Sequence, residues 1–131
     1  CSRIAGKTKS KGTSISNFSV EVEQLDNGLH AFRVEGELDH ATAPELRARL
    51  DAAIEAGAQA ILIDLGDCLF IDSTGLSVIV HARKHILESG GRFELCCADE
   101  AQTRRLLEIT GIDEAFGVFE TRDEALAAFV A

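Results

Sequence analysis

Residues 60 to 65, Ala-Ile-Leu-Ile-Asp-Leu, form a nearly continuous apolar run, which constrains the fold more than any other feature of the sequence. Such a run is typical of a strand that is covered on both faces. Apolar residues recur at helical spacing on both sides of it, at Leu46, Leu50 and Ile54 before the run and over residues 73 to 89 after it. Helices between successive strands imply parallel pairing with right-handed crossovers.

The N-terminal part has a different pattern, which predicts an antiparallel hairpin. Phe18, Val20 and Val22 alternate with polar residues, as in a half-buried strand. The turn sequence Asp26-Asn27-Gly28 follows, and its Asn-Gly pair tolerates positive φ. The return strand places one set of residues on a single face: Phe32, Val34, Gly36 and Leu38.

The remaining elements complete the predicted order β-β-α-β-α-β-α-β-α. Further strands are predicted at Phe93–Cys97 and Phe116–Phe119. The helical spacing of the second helix runs through Leu76, Ile79, Val80, Arg83 and Leu87. A third helix turns Leu106, Leu107 and Ile109 inward, and the terminal helix carries Leu126, Phe129 and Val130. The predicted fold is therefore α/β, with a mixed, mostly parallel sheet and an N-terminal antiparallel hairpin.

Polar residues mark the predicted helix starts. Thr42-x-x-Glu45 and Thr121-x-x-Glu124 are predicted to be capping boxes. In a capping box, the side chains of the threonine and the glutamate each accept a hydrogen bond from a backbone amide that is otherwise unpaired. Pro44 fits the first turn of its helix, where no amide donor is needed. Asp99 with Gln102 can cap the third helix.

The charge distribution divides the chain. Residues 1–17 carry +4 from Arg3, Lys7, Lys9 and Lys11, so the net charge of −9 leaves −13 for the remainder. We expect a flexible N-terminal tail or expression remnant at residues 1–17 and one domain at residues 18–131. A domain with this negative charge repels the phosphate groups of nucleic acids and of anionic membranes. Both are therefore poor partners. No apolar run reaches the roughly 20 residues that span a bilayer.

The four cysteines, Cys1, Cys68, Cys96 and Cys97, have no spacing suited to zinc or to a disulfide framework. Reduced, packed thiols of a cytosolic protein are the expected state. Cys96 and Cys97 are adjacent in a predicted strand, and we expect their side chains to point to opposite faces.

The run Asp72-Ser73-Thr74-Gly75 lies where the apolar segment Cys68–Ile71 meets the second helix. Open α/β sheets place functional groups at this carboxyl end of their strands. Asp72 or Ser73 can be the N-cap, which leaves Ser73 near unpaired N–H groups that favour a negative charge. Taken alone, the run is better explained as an ordinary helix cap.

The wider segment Leu65–Leu76 resembles the signature of the STAS domain, specifically of anti-sigma-factor antagonists, which reads Asp-Ser-Ser/Thr-Gly-Leu after an apolar strand and loop. Gly36-Glu37-Leu38-Asp39 is similar to the family's Gly-x-Leu/Ile-Asp at the end of the hairpin. A weaker C-terminal match consists of Arg104, Leu106, Gly111, Phe116 and Glu124-Ala125-Leu126. The resemblance covers residues 18 to 130 in the same element order.

The resemblance implies a partner-switching regulator of bacterial transcription, cytoplasmic and without enzymatic activity, cofactor or metal. An anti-sigma factor with serine-kinase activity would phosphorylate Ser73. The unphosphorylated protein would bind that anti-sigma factor and release the sigma factor, and a PP2C-type phosphatase would restore it. Other STAS domains imply an alternative role, as a scaffold or a nucleotide-sensing module of a larger signalling or transport protein.

The expected partner-binding surface surrounds Ser73. Asp72 would orient the loop, Gly75 would let another backbone approach, and Asp39 would lie near the same sheet end. Ser77, His81, Lys84 and Glu88 form the polar side of the second helix. The full expected set is Asp39, Leu69, Asp72, Ser73, Thr74, Gly75, Ser77 and His81. A solvated face explains the helix residues at least as well, and Asp39 fits a turn residue about equally.

Enzymatic and receiver functions fit the sequence less well. Asp64 sits like a receiver's phospho-aspartate, but no lysine follows Lys84 to contact a phosphoryl group. Aspartic-protease chemistry needs two carboxylates that share a proton, and a single Asp-Ser-Thr-Gly run is present. The sequence contains no Gly-x-Ser-x-Gly elbow or Walker loop, and His81 and His85 have no matching set of metal ligands.

Overall fold

The computed structural model describes residues 8–11, 18–25, 28–97 and 102–130. Its strands are β1 (Thr8–Lys11), β2 (Ser19–Leu25), β3 (Leu29–Leu38), β4 (Ala60–Ile71) and β5 (Arg92–Cys96). Its helices are α1 (Ala43–Glu55), α2 (Ser73–Glu88), α3 (Gln102–Thr110), α4 (Ile112–Phe116) and α5 (Arg122–Val130). The strands form one sheet in the order β1-β2-β3-β4-β5, antiparallel in the first two pairs and parallel in the last two. The predicted α/β class, with a mixed sheet and an N-terminal hairpin, is confirmed.

Strand β4 lies inside the sheet and is covered on both faces, as its apolar run predicts. Ile61 and Ile63 belong to the larger core cluster, together with residues of α1 and α2. Ala60 and Leu62 point to the opposite face and pack in a smaller cluster that includes Ala125 of α5. Alternate side chains of a strand face opposite ways, so one apolar run supplies both cores.

The edge strand β1 is a correction to the predicted element order. Residues 8–11, Thr-Lys-Ser-Lys, pair antiparallel with β2, although they fall inside the predicted tail. Four polar residues show no apolar alternation, so the pairing is decided by the neighbouring strand. Residues 1–7 and 12–17 lie outside the described part, and the domain boundary at residue 18 stays a prediction.

The predicted strand at Phe116–Phe119 is wrong. Residues Ile112–Phe116 form the short helix α4, bounded by Gly111 and Gly117, both with positive φ. The predicted pairing is reduced to one parallel bridge between Cys96 and Phe119. Two glycines in left-handed conformations end the helix on either side and leave too few residues for a ladder.

The predicted inward faces of the helices are correct for α1 and partly wrong for α2 and α3. Leu46 and Leu50 are buried. Val80 and Leu87 of α2 are exposed, and the residues that reach the core in their place are Ala82 and Ile86. In α3, Leu107 is buried but Ile109 is 72% exposed.

The predicted hairpin turn and the predicted cap of the third helix cannot be compared, because residues 26–27 and 98–101 lie outside the described part of the chain. The capping box at Thr121 is confirmed in its first half, since its Oγ1 accepts from the Glu124 amide at 3.1 Å. The Glu124 carboxylate accepts from the amide of Glu120 at 3.2 Å, one residue before the expected donor.

The cysteines of the described chain are free and buried. Cys96 packs in the smaller cluster and Cys97 in the larger one, which confirms the opposite orientation of these neighbours. Burial raises the pKa of Cys68 to about 11 and also raises the pKa values of Cys96 and Cys97. These thiols therefore stay protonated and packed. None of the described helices is sufficiently long and apolar to cross a membrane.

Candidate functional site

The candidate site lies where the parallel strands β3 and β4 end side by side. Leu38 and Ile71, the last residues of these strands, are register partners. The amide of Asp72 then donates to the Leu38 carbonyl at 3.1 Å. Asp39 and Asp72 each follow a strand end, so the topology brings these two predicted site residues to the same edge of the sheet.

Asp72 is the N-cap of α2. Its Oδ1 accepts from the Gly75 amide at 3.0 Å, and its carbonyl accepts from the Leu76 amide at 3.0 Å. Of the two capping residues that the sequence allows, the structure therefore uses Asp72. Ser73 becomes the first helical residue, and its side chain is exposed and takes no part in the cap.

The start of α2 favours an anion. Asp72 occupies the Gly75 amide, whereas the amides of Ser73 and Thr74 have no acceptor among the described residues. Amides at the start of a helix point out of its first turn and carry the positive end of the helix dipole. A negatively charged group on the Ser73 hydroxyl would therefore be stabilised by the N-terminus of α2.

Gly75, in the first turn of α2, is buried against the ends of β3 and β4. A Cβ at this position would lie 2.7 Å from Leu38 Cγ, 2.9 Å from the Leu38 carbonyl oxygen and 3.0 Å from Ile71 Cγ1. The close approach that the glycine permits is thus to the ends of the chain's own strands β3 and β4. A direct partner contact of Gly75 stays a prediction, and the structure points to an internal packing role.

The loop from Asp39 to Thr42 is built differently from the predicted capping box. Oδ1 of Asp39 accepts from the amides of Ala41 and Thr42, at 2.9 and 3.1 Å. The Thr42 hydroxyl donates to the Glu37 carbonyl at 2.7 Å and accepts from the Asp39 amide at 2.9 Å. It makes no cap bond to α1, so the Thr42-x-x-Glu45 capping box is wrong. The Thr42 hydroxyl instead forms its hydrogen bonds within the turn that follows β3 and includes Asp39.

The ionised form of Asp39 is stabilised by this loop. The hydrogen bond from the Thr42 amide is the largest cause that lowers the pKa of Asp39, and the Ala41 amide adds to it. Hydrogen bonds to a carboxylate favour its charged form. A fixed negative charge therefore lies at the sheet edge that also carries Asp72.

The polar side of α2 is exposed at Ser77, His81, Lys84 and Glu88. The rings of His81 and His85 lie 4.6 Å apart, centroid to centroid. Ser77 and His81 line a cavity of about 90 Å³ next to Arg47 and Asp51 of α1. No group of three metal-ligating side chains occurs among the residues that the structure describes.

Strand β4 displays apolar side chains directly before the site. Leu69 and Phe70 are 63% and 49% exposed, whereas their neighbours Cys68 and Ile71 are buried. Leu69 belongs to the predicted site, but Phe70 was missed. Its apolar neighbours make it look like a core residue, and no periodicity in the sequence marks it as exposed.

Sequence and structure comparisons place these features among known proteins. The sequence model of the STAS domain matches residues 19–125. The chain is 32% identical over 111 residues to the Anti-sigma F factor antagonist of Paenibacillus polymyxa, covering 84% of this chain and 93% of the relative. It is 35% identical over 102 residues to the Anti-sigma-B factor antagonist of Bacillus subtilis, covering 78% and 91%.

A solved structure is similar over the same region. The crystal structure of an anti-sigma factor antagonist from Mycobacterium paratuberculosis matches with a TM-score of 0.77 and 30% identity, over 89% of this chain and 97% of that one. The match of residues 19–125 includes β2 to β5 and the start of α2 with the candidate site.

Proposed function

The chain belongs to the STAS domain family, and on that premise we propose that it is an anti-sigma factor antagonist, a binding protein without enzymatic activity that is switched by phosphorylation of Ser73. The names of the two curated relatives support the general role. The observation that carries the switch is the exposed Ser73 side chain at the first position of α2, beside two amides without acceptors among the described residues.

In this proposal the unphosphorylated protein binds an anti-sigma factor in the cytoplasm and thereby releases a sigma factor. The anti-sigma factor carries the serine kinase that phosphorylates Ser73, and a PP2C-type phosphatase removes the phosphate. Contacts around Ser73 would come from the exposed and half-buried residues of the predicted set: Asp39, Leu69, Asp72, Thr74, Ser77 and His81.

A phosphate on Ser73 would act on recognition more than on folding. It adds about −1.5 to −2 charges at neutral pH. The first turn of α2 accommodates that charge, so the folded chain has little reason to lose stability. The partner meets a surface that already carries Asp39 and Asp72 and that becomes more negative and bulkier. Charge repulsion and shape then weaken the complex.

The test compares Ser73→Ala with Ser73→Asp against a purified kinase-type anti-sigma factor from the same bacterium. We expect Ser73→Ala to bind like the wild type and to accept no phosphate. Ser73→Asp should bind at least tenfold more weakly, or about 1.4 kcal/mol, with a melting temperature close to that of the wild type.

Thr74→Ala is the matched control, because Thr74 is the adjacent exposed hydroxyl. It should still be phosphorylated, and mass mapping should place the phosphate on Ser73. Phosphate found on Thr74 alone would refute the assignment. A large loss of stability in Ser73→Asp would instead make Ser73 a structural residue.

A further inference from the structure

A shallow apolar groove lies between the end of β4 and helix α3. Leu69 and Phe70 line it from the strand, and Leu106 and Ile109 line it from the helix, with Arg105 among them. We call it the β4–α3 groove. Its volume is about 280 Å³. Ile71 also lines it, only two residues before Ser73, so the groove is continuous with the candidate site.

A local irregularity of β4 exposes the apolar side chains. Gly36 pairs with Cys68 and Glu37 pairs with Phe70, so one step of β3 is matched by two residues of β4. Leu69 is the extra residue. Such a bulge interrupts the alternation of faces and re-aims side chains. Cys68 and Ile71 remain in the core while Leu69 and Phe70 turn to the surface.

The groove gathers most of the exposed large apolar residues of the described chain. Three of the five, Leu69, Phe70 and Ile109, line it. Ile109, at 72% exposure, is the most exposed of them. Scattered apolar side chains on a surface need no explanation, but a contiguous group next to a candidate site indicates an interaction surface.

The size and the charge of the groove indicate its occupant. Sites for small molecules enclose about 300–1,000 Å³ and bury most of the ligand, whereas this groove is smaller and open. Arg105 is exposed and has no ion pair within the described ranges. An apolar groove with a cation suits apolar side chains that are flanked by a carboxylate, as on one face of a protein segment.

We propose that the β4–α3 groove is the anchoring surface for the anti-sigma factor, which inserts apolar side chains between Phe70 and Ile109 and places a carboxylate against Arg105. This inference rests on the proposed function and divides the interface in two. The groove supplies most of the binding free energy by burying apolar surface. The start of α2, adjacent along β4, supplies the charge-dependent control. A phosphate on Ser73 then weakens the complex without occupying the groove.

The experiment measures the affinity of the purified kinase-type anti-sigma factor for groove variants. We expect Ile109→Ser and Phe70→Ser each to weaken binding at least tenfold. Leu87→Ser is the matched control, since Leu87 is 41% exposed and lies on α2 at the end away from Ser73. It should bind within about twofold of the wild type, as expected for a residue outside the interface. Arg105→Glu should weaken binding and reduce its dependence on salt concentration.

The two proposals fail in different ways. If the wild type binds and Ser73→Asp weakens binding, but Ile109→Ser and Phe70→Ser bind like the wild type, the groove proposal is overturned and the proposed function stands. If the wild type does not bind, the proposed function fails and this occupant fails with it. A wild-type dimer that Ile109→Ser dissociates would assign the groove to a second copy of the chain and overturn the proposal. The urea midpoint of each variant checks that it is folded.

Discussion

At Gly75, helix α2 lies so close to the ends of β3 and β4 that no side chain fits. We expect Gly75→Ala to lower the free energy of unfolding by about 1–2 kcal/mol. The added Cβ would overlap the Leu38 side chain and carbonyl, and such overpacking costs about 1–3 kcal/mol. The better helix propensity of alanine offsets up to about 1 kcal/mol of this.

Urea unfolding measures the Gly75 effect. Ser77→Ala is the control on the same helix, because its side chain is exposed, and it should change stability by less than about 0.5 kcal/mol. Equal stability of Gly75→Ala and the wild type would show that α2 can move away from Leu38. Position 75 would then lose its packing role.

Asp39 should make the free energy of unfolding depend on pH in the acidic range. Its folded-state pKa is lowered below the ordinary value of 3.8 by the Thr42 and Ala41 amides. A lowered pKa adds stability that is present above the unfolded-state pKa and is lost as pH falls through the folded-state pKa. The wild type should therefore be more stable than Asp39→Asn at pH 7, with the difference shrinking below about pH 4.

Unfolding in urea at a series of pH values, for the wild type and Asp39→Asn in parallel, checks this expectation. The asparagine keeps the acceptor oxygen that the loop amides use and replaces the other oxygen by an uncharged NH2 group, so the pH dependence of the comparison reports the carboxylate's ionisation. A stability difference of the same size at neutral and acid pH would contradict a role for the carboxylate charge.

At the scale of elements, an arginine of β5 ties the C-terminal end of α5 to the sheet. Arg92 of β5 donates to the carbonyls of Ala128 and Phe129 at 2.7 and 3.0 Å. Its guanidinium also lies 5.5 Å from the centre of the Phe129 ring. These carbonyls belong to the last turn of α5, where helical acceptors remain unpaired.

Arg92→Ala should therefore loosen α5 without unfolding the sheet. Amides of residues 122–130 should exchange with deuterium several-fold faster, while those of β4 and β5 should change little. The expected loss of about 0.5–1.5 kcal/mol is that of a hydrogen bond, at the low end because the contact is exposed. Arg92→Lys should restore only part of the protection, since an ammonium lacks the two-pronged geometry. Uniformly faster exchange would contradict local anchoring.

At the scale of the whole molecule, the buried thiols report on global unfolding. Cys68, Cys96 and Cys97 are buried, and burial raises the pKa of Cys68 to about 11. In a Cys1→Ser background we expect Ellman's reagent to leave all three unmodified in the native protein and to modify them together on unfolding. The reactive species is the thiolate, which burial suppresses. Fast reaction of one thiol under native conditions would reveal a local opening.

Much of the fold can be predicted from the sequence because local patterns of apolar and polar residues determine it. The apolar run at residues 60–65 requires cover on both faces, and the alternation from Phe18 to Val22 predicts one strand of the hairpin. The periodicity of apolar residues did not predict those elements that are determined by strand pairing and tertiary packing. The polar strand β1 exists only through its pairing with β2, and the predicted strand at Phe116–Phe119 gives way to a helix between two glycines.

For the candidate site, the sequence by itself placed Ser73 at a helix start and brought Asp39 near it, because both follow strands whose carboxyl ends share one edge. The tertiary structure decided which residue caps α2, why position 75 must be glycine, and which apolar side chains are exposed. The capping geometry depends on the loop conformation, and Gly75 depends on contact with Leu38, 37 positions earlier in the chain. Phe70 and Ile109 look like core residues in the sequence. Their exposure arises from a bulge in β4 and from the packing of α3, which no local pattern encodes.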